Sequence, residues 1–348
     1  MKYKNILIIK MSALGDVMHA IPCADALRKL YPEAKITWIV HPQFGAFVPQ
    51  PPIVDEIIYF DKAAFSKQTW TEKIRRMFAL RRELKSKKFD LVIDLQGLLK
   101  SAVVAFLSGC SNRIGYNDMR EGSGFISKAV HGPHDQGHVV QQYLDVIRYL
   151  GAQVEEPVFP MPALDSEKEK MRKLILEEKP AIDWQKTVVL VPGAGWVTKE
   201  WPESYFAELA RKIAAQGNTV ILAGGQAELA KAQNIAKLLP EGLLVNLVGK
   251  TSLRELAALM GIVGVCIGGD TGPVHIAAAM GCRIIALFGP SSGHRAGPYG
   301  KLVRIISSTE SCCPCFKRKC PINKNCMAAI SVDEVYAAFQ DNFAPAGR

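Results

Sequence analysis

A carboxylate stands where the first apolar run of the chain gives way to a helical pattern. The run Lys4–Lys10 leads into a short turn that ends at Asp16. With this spacing Asp16 either caps the following helix or serves as a general base that takes a proton from an attacking hydroxyl. Lys10 and Ser12 beside it are suited to holding an anionic acceptor. Only Gly15 remains of the G-x-G-x-x-G pattern, which argues against a nicotinamide or flavin enzyme.

A glycine-rich turn in the second half carries another set of reactive residues. Residues 268–275, Gly-Gly-Asp-Thr-Gly-Pro-Val-His, follow a buried strand pattern and open a helix. Glycine lets a ligand approach the backbone closely, Pro273 suits a first helical turn, and the free N–H groups at a helix start attract phosphate. The segment therefore predicts a phosphate site. The alternative is an ordinary turn in which Asp270 caps the helix.

Residues 191–202 form a second glycine-rich loop after a strand pattern. The loop carries Thr198 and Lys199, and the lysine ammonium is a suitable point charge for a diphosphate. A lysine in a loop is also commonly just solvated. The diphosphate interpretation gains support because this loop and the Asp270 turn are expected at the same edge of one sheet.

Five of the nine cysteines lie close together near the C-terminus, namely Cys312, Cys313, Cys315, Cys320 and Cys326. Such a cluster suggests zinc, but its spacing lacks the two separated pairs typical of a zinc site. We predict a loop of reduced thiols, with a structural metal as the alternative. The other cysteines, Cys23, Cys110, Cys266 and Cys282, are predicted to be small core residues.

The elements that must position these residues alternate between strand and helix patterns. Apolar runs typical of parallel strands occupy residues 4–10, 36–40, 56–60, 91–95, 188–191, 219–223, 244–248, 265–267 and 284–288. Helical patterns between them favour sheets covered on both faces. The Pro-rich stretch 155–162 is typical of a linker. We predict one domain over 1–157, a second over 163–330 and a C-terminal helix over 331–348, with ligands in the cleft between the domains.

Composition and charge narrow the choice of partners. The 348 residues are 49% hydrophobic and 22% charged, which suits two globular cores. The formal charge of +10 favours an anionic partner. The helical pattern 71–88 is crowded with arginine and lysine, which form either a solvated face or a surface for anionic lipid or substrate.

Several classes of protein are disfavoured. No apolar run is long enough for a membrane span, and the N-terminal run is too short for a signal peptide. We therefore expect a cytoplasmic protein with reduced thiols. The basic residues lack the interleaved aromatic residues of a single-strand platform, so no nucleic-acid partner is expected.

Together these segments resemble the ADP-heptose:lipopolysaccharide heptosyltransferases of glycosyltransferase family 9. The resemblance runs in consistent order from about Ile6 to Val335. The pieces that carry it are Ile8 to Pro22, Asp94 to Ser101, Pro192 to Ala194, Lys199 to Pro202, Gly269 to His275, Pro298 to Gly300 and the Cys312–Cys326 tail.

The resemblance implies an α/β protein of the GT-B class, with two Rossmann-like domains whose parallel sheets face each other across a cleft. It also implies an inverting transfer of L-glycero-D-manno-heptose from ADP-heptose, without a metal ion or other cofactor. The acceptor would be Kdo–lipid A or the Kdo/heptose inner core of lipopolysaccharide. Asp16 matches the family's catalytic base.

The resemblance further assigns binding residues to each domain. The C-terminal domain would hold the donor through Thr198, Lys199, Glu228, Asp270, Thr271, Gly272 and His275. In the N-terminal domain, Lys10, Lys100, Arg120 and His138 resemble the family's basic residues for Kdo and phosphate groups. The enzyme would sit at the cytoplasmic face of the inner membrane, in peripheral contact with anionic lipid.

Three points stay open at this level. The loop Gly193–Val197 replaces a more polar loop of some family members, which puts side-chain contacts to the donor there in doubt. The Gln96–Ser101 segment, with Arg120 and His138, favours addition of the first heptose, whereas the cysteine-rich tail is typical of the second-heptose enzyme. Alternatives are a GT-B transferase that uses another nucleotide sugar, and a nucleotide-binding or lipopolysaccharide-binding module without catalysis.

Overall fold

The apolar runs of the sequence become the strands of two parallel sheets, one on each side of Pro162. The computed structural model describes residues 2–343. Met1 and residues 344–348, the end of the predicted C-terminal segment, lie outside the described residues. Packing divides the chain into a first unit up to Pro162 and a second unit from Ala163.

The first unit contains six strands: β1 (Asn5–Ile9), β2 (Lys35–Val40), β3 (Glu56–Tyr59), β4 (Leu91–Asp94), β5 (Arg113–Gly115) and β6 (Lys128–Ala129). Their order in the sheet is β3-β2-β1-β4-β5-β6, and every neighbouring pair is parallel. The strand order reverses between β1 and β4. The loops that follow these two strands therefore meet at the topological switch point, where such sheets bind ligands.

The helices of the first unit are α1 (Leu14–Leu30), α2 (Lys62–Ser66), α3 (Trp70–Ser86), α4 (Leu99–Leu107) and α5 (Val139–Tyr149). The sequence patterns, which are helical over residues 16–31 and 71–88, predict α1 and α3 to within two residues at each end. They do not predict β5 and β6, because strands of three and two residues are too short to show a period.

The second unit repeats this architecture with β7 (Thr187–Val191), β8 (Thr219–Leu222), β9 (Leu244–Asn246), β10 (Val265–Gly269), β11 (Arg283–Phe288) and β12 (Val303–Ser307). The order is β12-β11-β10-β7-β8-β9, again parallel throughout. The switch point lies between β7 and β10. It brings together the two glycine-rich loops that follow these strands.

The helices of the second unit are α6 (Asp165–Glu178), α7 (Glu203–Ala214), α8 (Leu229–Lys237), α9 (Leu253–Met260), α10 (Gly272–Ala279), α11 (Gly293–Ala296) and α12 (Val332–Phe343). Ser252 and Glu255 stand three residues apart, a spacing that predicts a capping box, and the box at the start of α9 is confirmed, since each side chain bonds to the backbone N–H of the other residue. No helix within residues 2–343 is long and apolar enough to cross a membrane.

Candidate active site

Asp16 lies in the first turn of α1, at the carboxyl end of the central strand β1. The helix begins at Leu14 with Ala13 as its N-cap residue, so the interpretation of Asp16 as the cap itself is wrong. The carboxylate instead reaches back, and its Oδ2 accepts a hydrogen bond from the Ala13 N–H at 3.1 Å. Within the described chain Oδ1 of Asp16 has no hydrogen-bond partner. That oxygen is available to a substrate hydroxyl.

The turn before Asp16 is held by the loop that follows β4. Oε1 of buried Gln96 accepts the N–H groups of Met11 and Ser12 at 3.1 and 3.0 Å. Asp94 fixes this loop in turn by accepting the Gln96 N–H at 2.9 Å and the Ser101 hydroxyl at 2.9 Å. Burial raises the pKa of Asp94, against the lowering effect of these hydrogen bonds. The two loops at the switch point therefore form one hydrogen-bonded unit.

Lys10 is buried beneath this turn instead of reaching outward. Its ammonium donates to the Leu95 carbonyl at 2.8 Å and to the Tyr143 hydroxyl at 2.5 Å. Burial lowers the pKa of Lys10, while the nearby carboxylates of Asp16 and Asp94 raise it. Two of its three N–H groups are thus committed to the framework, and at most one is left for an acceptor.

Lys100 and Arg120 place positive charge around Ser12 and Asp16. The Lys100 ammonium donates to the Ser12 hydroxyl at 3.0 Å. The Arg120 side chain is more than half exposed, with Nε 3.6 Å from the Asp118 carboxylate. Partial burial lowers the pKa of Arg120, but the charges of Asp118 and Asp16 raise it, and the net shift is upward. Asp16 therefore sits in a positive field suited to an anionic acceptor.

His138 approaches the same helix from α5. It is the N-cap residue of α5, and its Nδ1 accepts the Val140 N–H at 3.2 Å. Its ring packs edge-on against His19, with the ring centroids 5.3 Å apart. His19 lies one turn after Asp16 on α1. The structure thus gathers all five predicted acceptor residues, Lys10, Ser12, Lys100, Arg120 and His138, around the β1–α1 turn or the first turns of α1.

In the second unit Asp270 is the centre of a polar cluster at the end of β10. Its Oδ2 accepts the Lys199 ammonium at 2.5 Å and the Ser291 hydroxyl at 2.7 Å. Its Oδ1 lies 3.5 Å from Nε2 of buried His275. Thr271, not Asp270, is the N-cap residue of α10, so the capping interpretation is wrong here too.

The charge of Asp270 is maintained by these neighbours. Burial by itself would raise the pKa of this carboxyl, but the hydrogen bond from His275 and the charge of Lys199 hold it well below its usual range. The Lys199 side chain is only 14% exposed, and its ammonium lies 4.1 Å from the centroid of the Trp196 ring. The interpretation of Lys199 as a solvated loop lysine is therefore wrong.

The start of α10 adjoins this cluster. The Thr271 hydroxyl makes no capping hydrogen bond, and Gly272 and Pro273 open the helix. The first N–H groups of a helix have no partner within it and carry partial positive charge. Thr198 lies nearby in the chain, but its hydroxyl donates to the Lys317 carbonyl at 3.1 Å. The cluster thus offers Lys199, Thr271 and the α10 N-terminus to an anion.

Glu228 crosses over the glycine-rich loops after β7 and β8. A Cβ atom at Gly193 would lie only 2.2 Å from Glu228 Cγ. The missing side chain at Gly193 therefore decides where the Glu228 carboxylate can lie. The same carboxylate passes close to Gly224 and Gly225.

A glycine pair tests this arrangement. We expect Gly193→Ala to displace Glu228 and to weaken nucleotide binding by about tenfold, with a fall in unfolding free energy of about 1 kcal/mol. Gly195→Ala is the matched control, because a Cβ there meets nothing within 4 Å. Titration calorimetry with ADP and thermal melting measure the two effects. Equal ADP affinity in both variants would contradict the role given to Glu228.

Gln96 entered the sequence analysis only as part of the Gln96–Ser101 segment, without a contact of its own, and Ser291 was not predicted as a site residue. Both follow strands that border a switch-point strand, Gln96 after β4 and Ser291 after β11. A polar residue just beyond a buried parallel strand is the signal that points to them. The predicted core positions of Cys23, Cys110, Cys266 and Cys282 are confirmed, since all four are buried thiols.

The cysteine-rich tail is a loop of free thiols. Cys313 and Cys326 hydrogen-bond to each other, and burial raises the pKa of Cys313 to about 12. In the described part of the chain, no three His, Cys, Asp or Glu side chains are grouped so as to hold a metal ion.

The chain is similar to known glycosyltransferases. The profile of the family described as Glycosyltransferase family 9 (heptosyltransferase) matches residues 77–325. The chain is 30% identical over 322 residues to Lipopolysaccharide heptosyltransferase 1 of Pseudomonas aeruginosa, which covers 91% of this chain and 87% of that protein.

Two solved structures show the same fold. A glycosyl transferase family 9 protein from Veillonella parvula superposes with a TM-score of 0.81 at 24% identity, covering 98% of each chain. The E. coli heptosyltransferase WaaC with ADP gives a TM-score of 0.76 at 22% identity, covering 97% of this chain and 99% of the other. The predicted α/β fold class, GT-B with two Rossmann-like domains, is confirmed.

Proposed function

We propose a function for this chain, which belongs to glycosyltransferase family 9. It transfers L-glycero-D-manno-heptose from ADP-heptose to the inner core of lipopolysaccharide. The acceptor is Kdo–lipid A or its singly heptosylated form. The observation that carries the proposal is the family match over residues 77–325, within which the Asp270 cluster lies. Membership in the family already makes the chain a glycosyltransferase.

In the proposed reaction Asp16 acts as the general base. Its free Oδ1 accepts the proton of an acceptor hydroxyl while that oxygen attacks the anomeric carbon of the heptose. The bond from the anomeric carbon to the diphosphate breaks in the same displacement, and ADP leaves with the electron pair. A single displacement inverts the anomeric configuration.

The second unit supplies the stabilisation of the leaving diphosphate. Lys199 and the N-terminus of α10 provide positive charge, and Asp270 orients the Lys199 ammonium through their ion pair. These groups can take the place of a divalent cation, so we propose that transfer requires no metal. We propose that the Glu228 carboxylate, which lies close to Gly193, Gly224 and Gly225, accepts hydrogen bonds from the nucleoside.

The first unit supplies the recognition of the acceptor. Kdo carries a carboxylate and lipid A carries phosphates, and Lys100 and Arg120 place cationic groups near Asp16. Since lipid A is a membrane lipid, we propose that the enzyme works at the cytoplasmic face of the inner membrane, in peripheral contact with its surface.

An acceptor panel tests the proposal. The protein is incubated with ADP-heptose and either Kdo–lipid A or the same lipid carrying one heptose, with and without EDTA. We expect a mass gain of one heptose on one of the two acceptors, unchanged by EDTA, with NMR showing the opposite anomeric configuration in the product. Tight ADP binding without transfer to either acceptor would favour the non-catalytic alternative.

Nucleotide selectivity separates the proposal from a transferase with another donor. We expect ADP to bind at least about tenfold more tightly than UDP or GDP, because a site whose polar groups pair with adenine leaves those groups unpaired with another base. Titration calorimetry with the three diphosphates measures this. A preference for UDP or GDP would overturn the assignment of ADP-heptose as donor.

A further inference from the structure

Helix α3 buries one apolar side and exposes another. Leu80 and Leu84 pack in the core of the first unit. Trp70, Ile74 and Phe78 are 79%, 52% and 68% exposed. Because they are spaced four residues apart, these three side chains form one continuous stripe along the helix. A stripe of large apolar side chains that the fold leaves in water indicates a surface covered by a partner.

Helix α4, which packs against α3, exposes apolar side chains as well. Val103 and Phe106 of α4 are also exposed. A hollow of about 500 Å³ is lined by apolar side chains of α3 and by Leu107 at the end of α4, with Lys73 and Arg81 among its lining residues. Phe125, almost fully exposed, follows in the segment after β5. We call the exposed apolar residues Trp70, Ile74, Phe78, Val103 and Phe106 the α3–α4 face.

Cations line the edge of the α3–α4 face. Arg75, Arg81, Arg82 and Lys85 surround Phe78 in a groove of about 820 Å³. None of these four side chains forms an ion pair with any carboxylate in residues 2–343. Unpaired arginines and lysines beside exposed tryptophan and phenylalanine are the composition of a helix that lies in a membrane interface. The partner must therefore offer apolar and anionic groups side by side.

We propose that the α3–α4 face binds the surface of an anionic lipid bilayer. The aromatic side chains enter the boundary between headgroups and acyl chains, while the four cations contact headgroup phosphates. A second copy of the chain fits the face less well. A twofold contact would bring the same unpaired cations against each other, and their repulsion opposes association.

The fold connects this face to the Asp16 cluster within the first unit. Helix α4 starts at Leu99 and runs for nine residues, a length of about 13 Å. Its second residue is Lys100, which bonds to Ser12, and its far half carries Val103 and Phe106. One rigid helix therefore joins a predicted acceptor residue to the bilayer surface. This step rests on the proposed function, in which the acceptor is itself a lipid.

Vesicle co-sedimentation tests the proposal directly. The full chain is mixed with vesicles of phosphatidylglycerol and phosphatidylethanolamine in equal parts, or of phosphatidylcholine. We expect binding to the anionic vesicles only, weakened by salt. Changing the stripe in Trp70→Ser/Ile74→Ser/Phe78→Ser, or the cations in Arg75→Gln/Arg81→Gln/Arg82→Gln/Lys85→Gln, is expected to lower the partition coefficient by about tenfold or more.

Matched controls separate position from composition. Leu238, Leu302 and Ile322 are exposed apolar residues of the second unit, and Lys173, Lys186, Lys237 and Lys250 are exposed cations there. Changing the first set to Ser removes the same number of large apolar side chains as the stripe variant, and changing the second set to Gln removes the same four positive charges. We expect vesicle binding by both control variants to stay within about twofold of the parent. Brominated lipid should quench the fluorescence of the parent chain, and Trp70→Phe should remove that quenching.

The outcomes distinguish this proposal from the catalytic one. Transfer to an acceptor stripped of its acyl chains should be equal in the parent and the stripe variant. If no transfer occurs at all, vesicle binding still tests whether the α3–α4 face binds anionic lipid. Equal vesicle binding by the parent and both face variants would overturn the proposal. The proposal would also be overturned if the parent were a dimer that the stripe substitutions dissociate. The same holds if the α3–α4 face binds acidic proteins but not anionic vesicles.

Discussion

Replacing Asp16 with Asn should lower the rate of heptose transfer by about 10²–10⁴-fold, the usual contribution of a general base. The substitution removes the proton acceptor at Oδ1 but keeps an oxygen that can accept the Ala13 N–H bond. The start of α1 should therefore stay intact. ADP affinity should change by less than about twofold, because the proposed donor contacts belong to the second unit.

Asp25→Asn is the matched control for this prediction. Asp25 lies on the same helix, and its partly buried carboxylate pairs with the exposed Lys29. Its loss should change transfer little, since an i,i+4 ion pair on a helix contributes only about 0.3–0.5 kcal/mol. The kcat/KM values of both variants, with melting curves to confirm folding, give the comparison. An Asp16→Asn enzyme that works as fast as Asp25→Asn would refute the assignment of the base.

Replacing Lys199 with Met should lower the rate by about 10²–10³-fold, because positive charge at the leaving diphosphate is lost in the transition state. Stability should fall as well. Asp270 would keep its hydrogen bond from Ser291 and its contact with His275 but lose the Lys199 ammonium that pairs with it at 2.5 Å. A buried carboxylate without its cation is costly, and we expect the free energy of unfolding to drop by about 2–3 kcal/mol.

The loss of stability should depend on pH in a defined direction. The pKa of Asp270 lies well below its usual range in the folded chain. The ion pair therefore stabilises the fold above the unfolded-state pKa of about 4 and loses this effect as pH falls through the folded pKa. The difference in melting temperature between the parent and Lys199→Met should be largest near neutral pH and shrink in acid.

Two further variants isolate these effects. Lys199→Met combined with Asp270→Asn should recover most of the stability but none of the activity, since no buried charge remains to be paired. Lys231→Met removes a neighbouring lysine that pairs with Glu200, and it should change stability by less than about 1 kcal/mol. A Lys199→Met enzyme with near-parental kcat would show that the diphosphate is stabilised by other groups.

Local signals in the sequence were sufficient to predict the central strands, the start of α9 and the loops that carry reactive residues. Continuous apolar runs predict the central strands, because a strand buried on both faces has no polar alternation. Ser252 and Glu255 predict the start of α9, because a capping box depends only on residues three apart. The loops after β1, β7 and β10 were also recognisable from local sequence, because glycine, proline and isolated charges interrupt otherwise apolar runs there.

The partners of the reactive side chains were not predictable in this way. Lys10 stands two residues before Ser12, and the sequence suggested both as groups that hold an anionic acceptor. The structure buries Lys10 against Tyr143 and the loop after β4. The hydrogen bonds of Gln96 and Ser291 were not predicted, because each residue contacts residues distant in the chain. Such contacts follow from strand order, which sets β4 beside β1 and β11 beside β10.

Helix α3 shows the same division between sequence and structure. The sequence alone determined that residues 71–88 form a basic helix, because helical periodicity and charge are local properties. It could not determine which of the two apolar sides would be buried, since Leu80 and Phe78 are equally suited to a core. Only the tertiary structure decided this, because α3 packs Leu80 and Leu84 against the sheet and leaves Trp70, Ile74 and Phe78 in water.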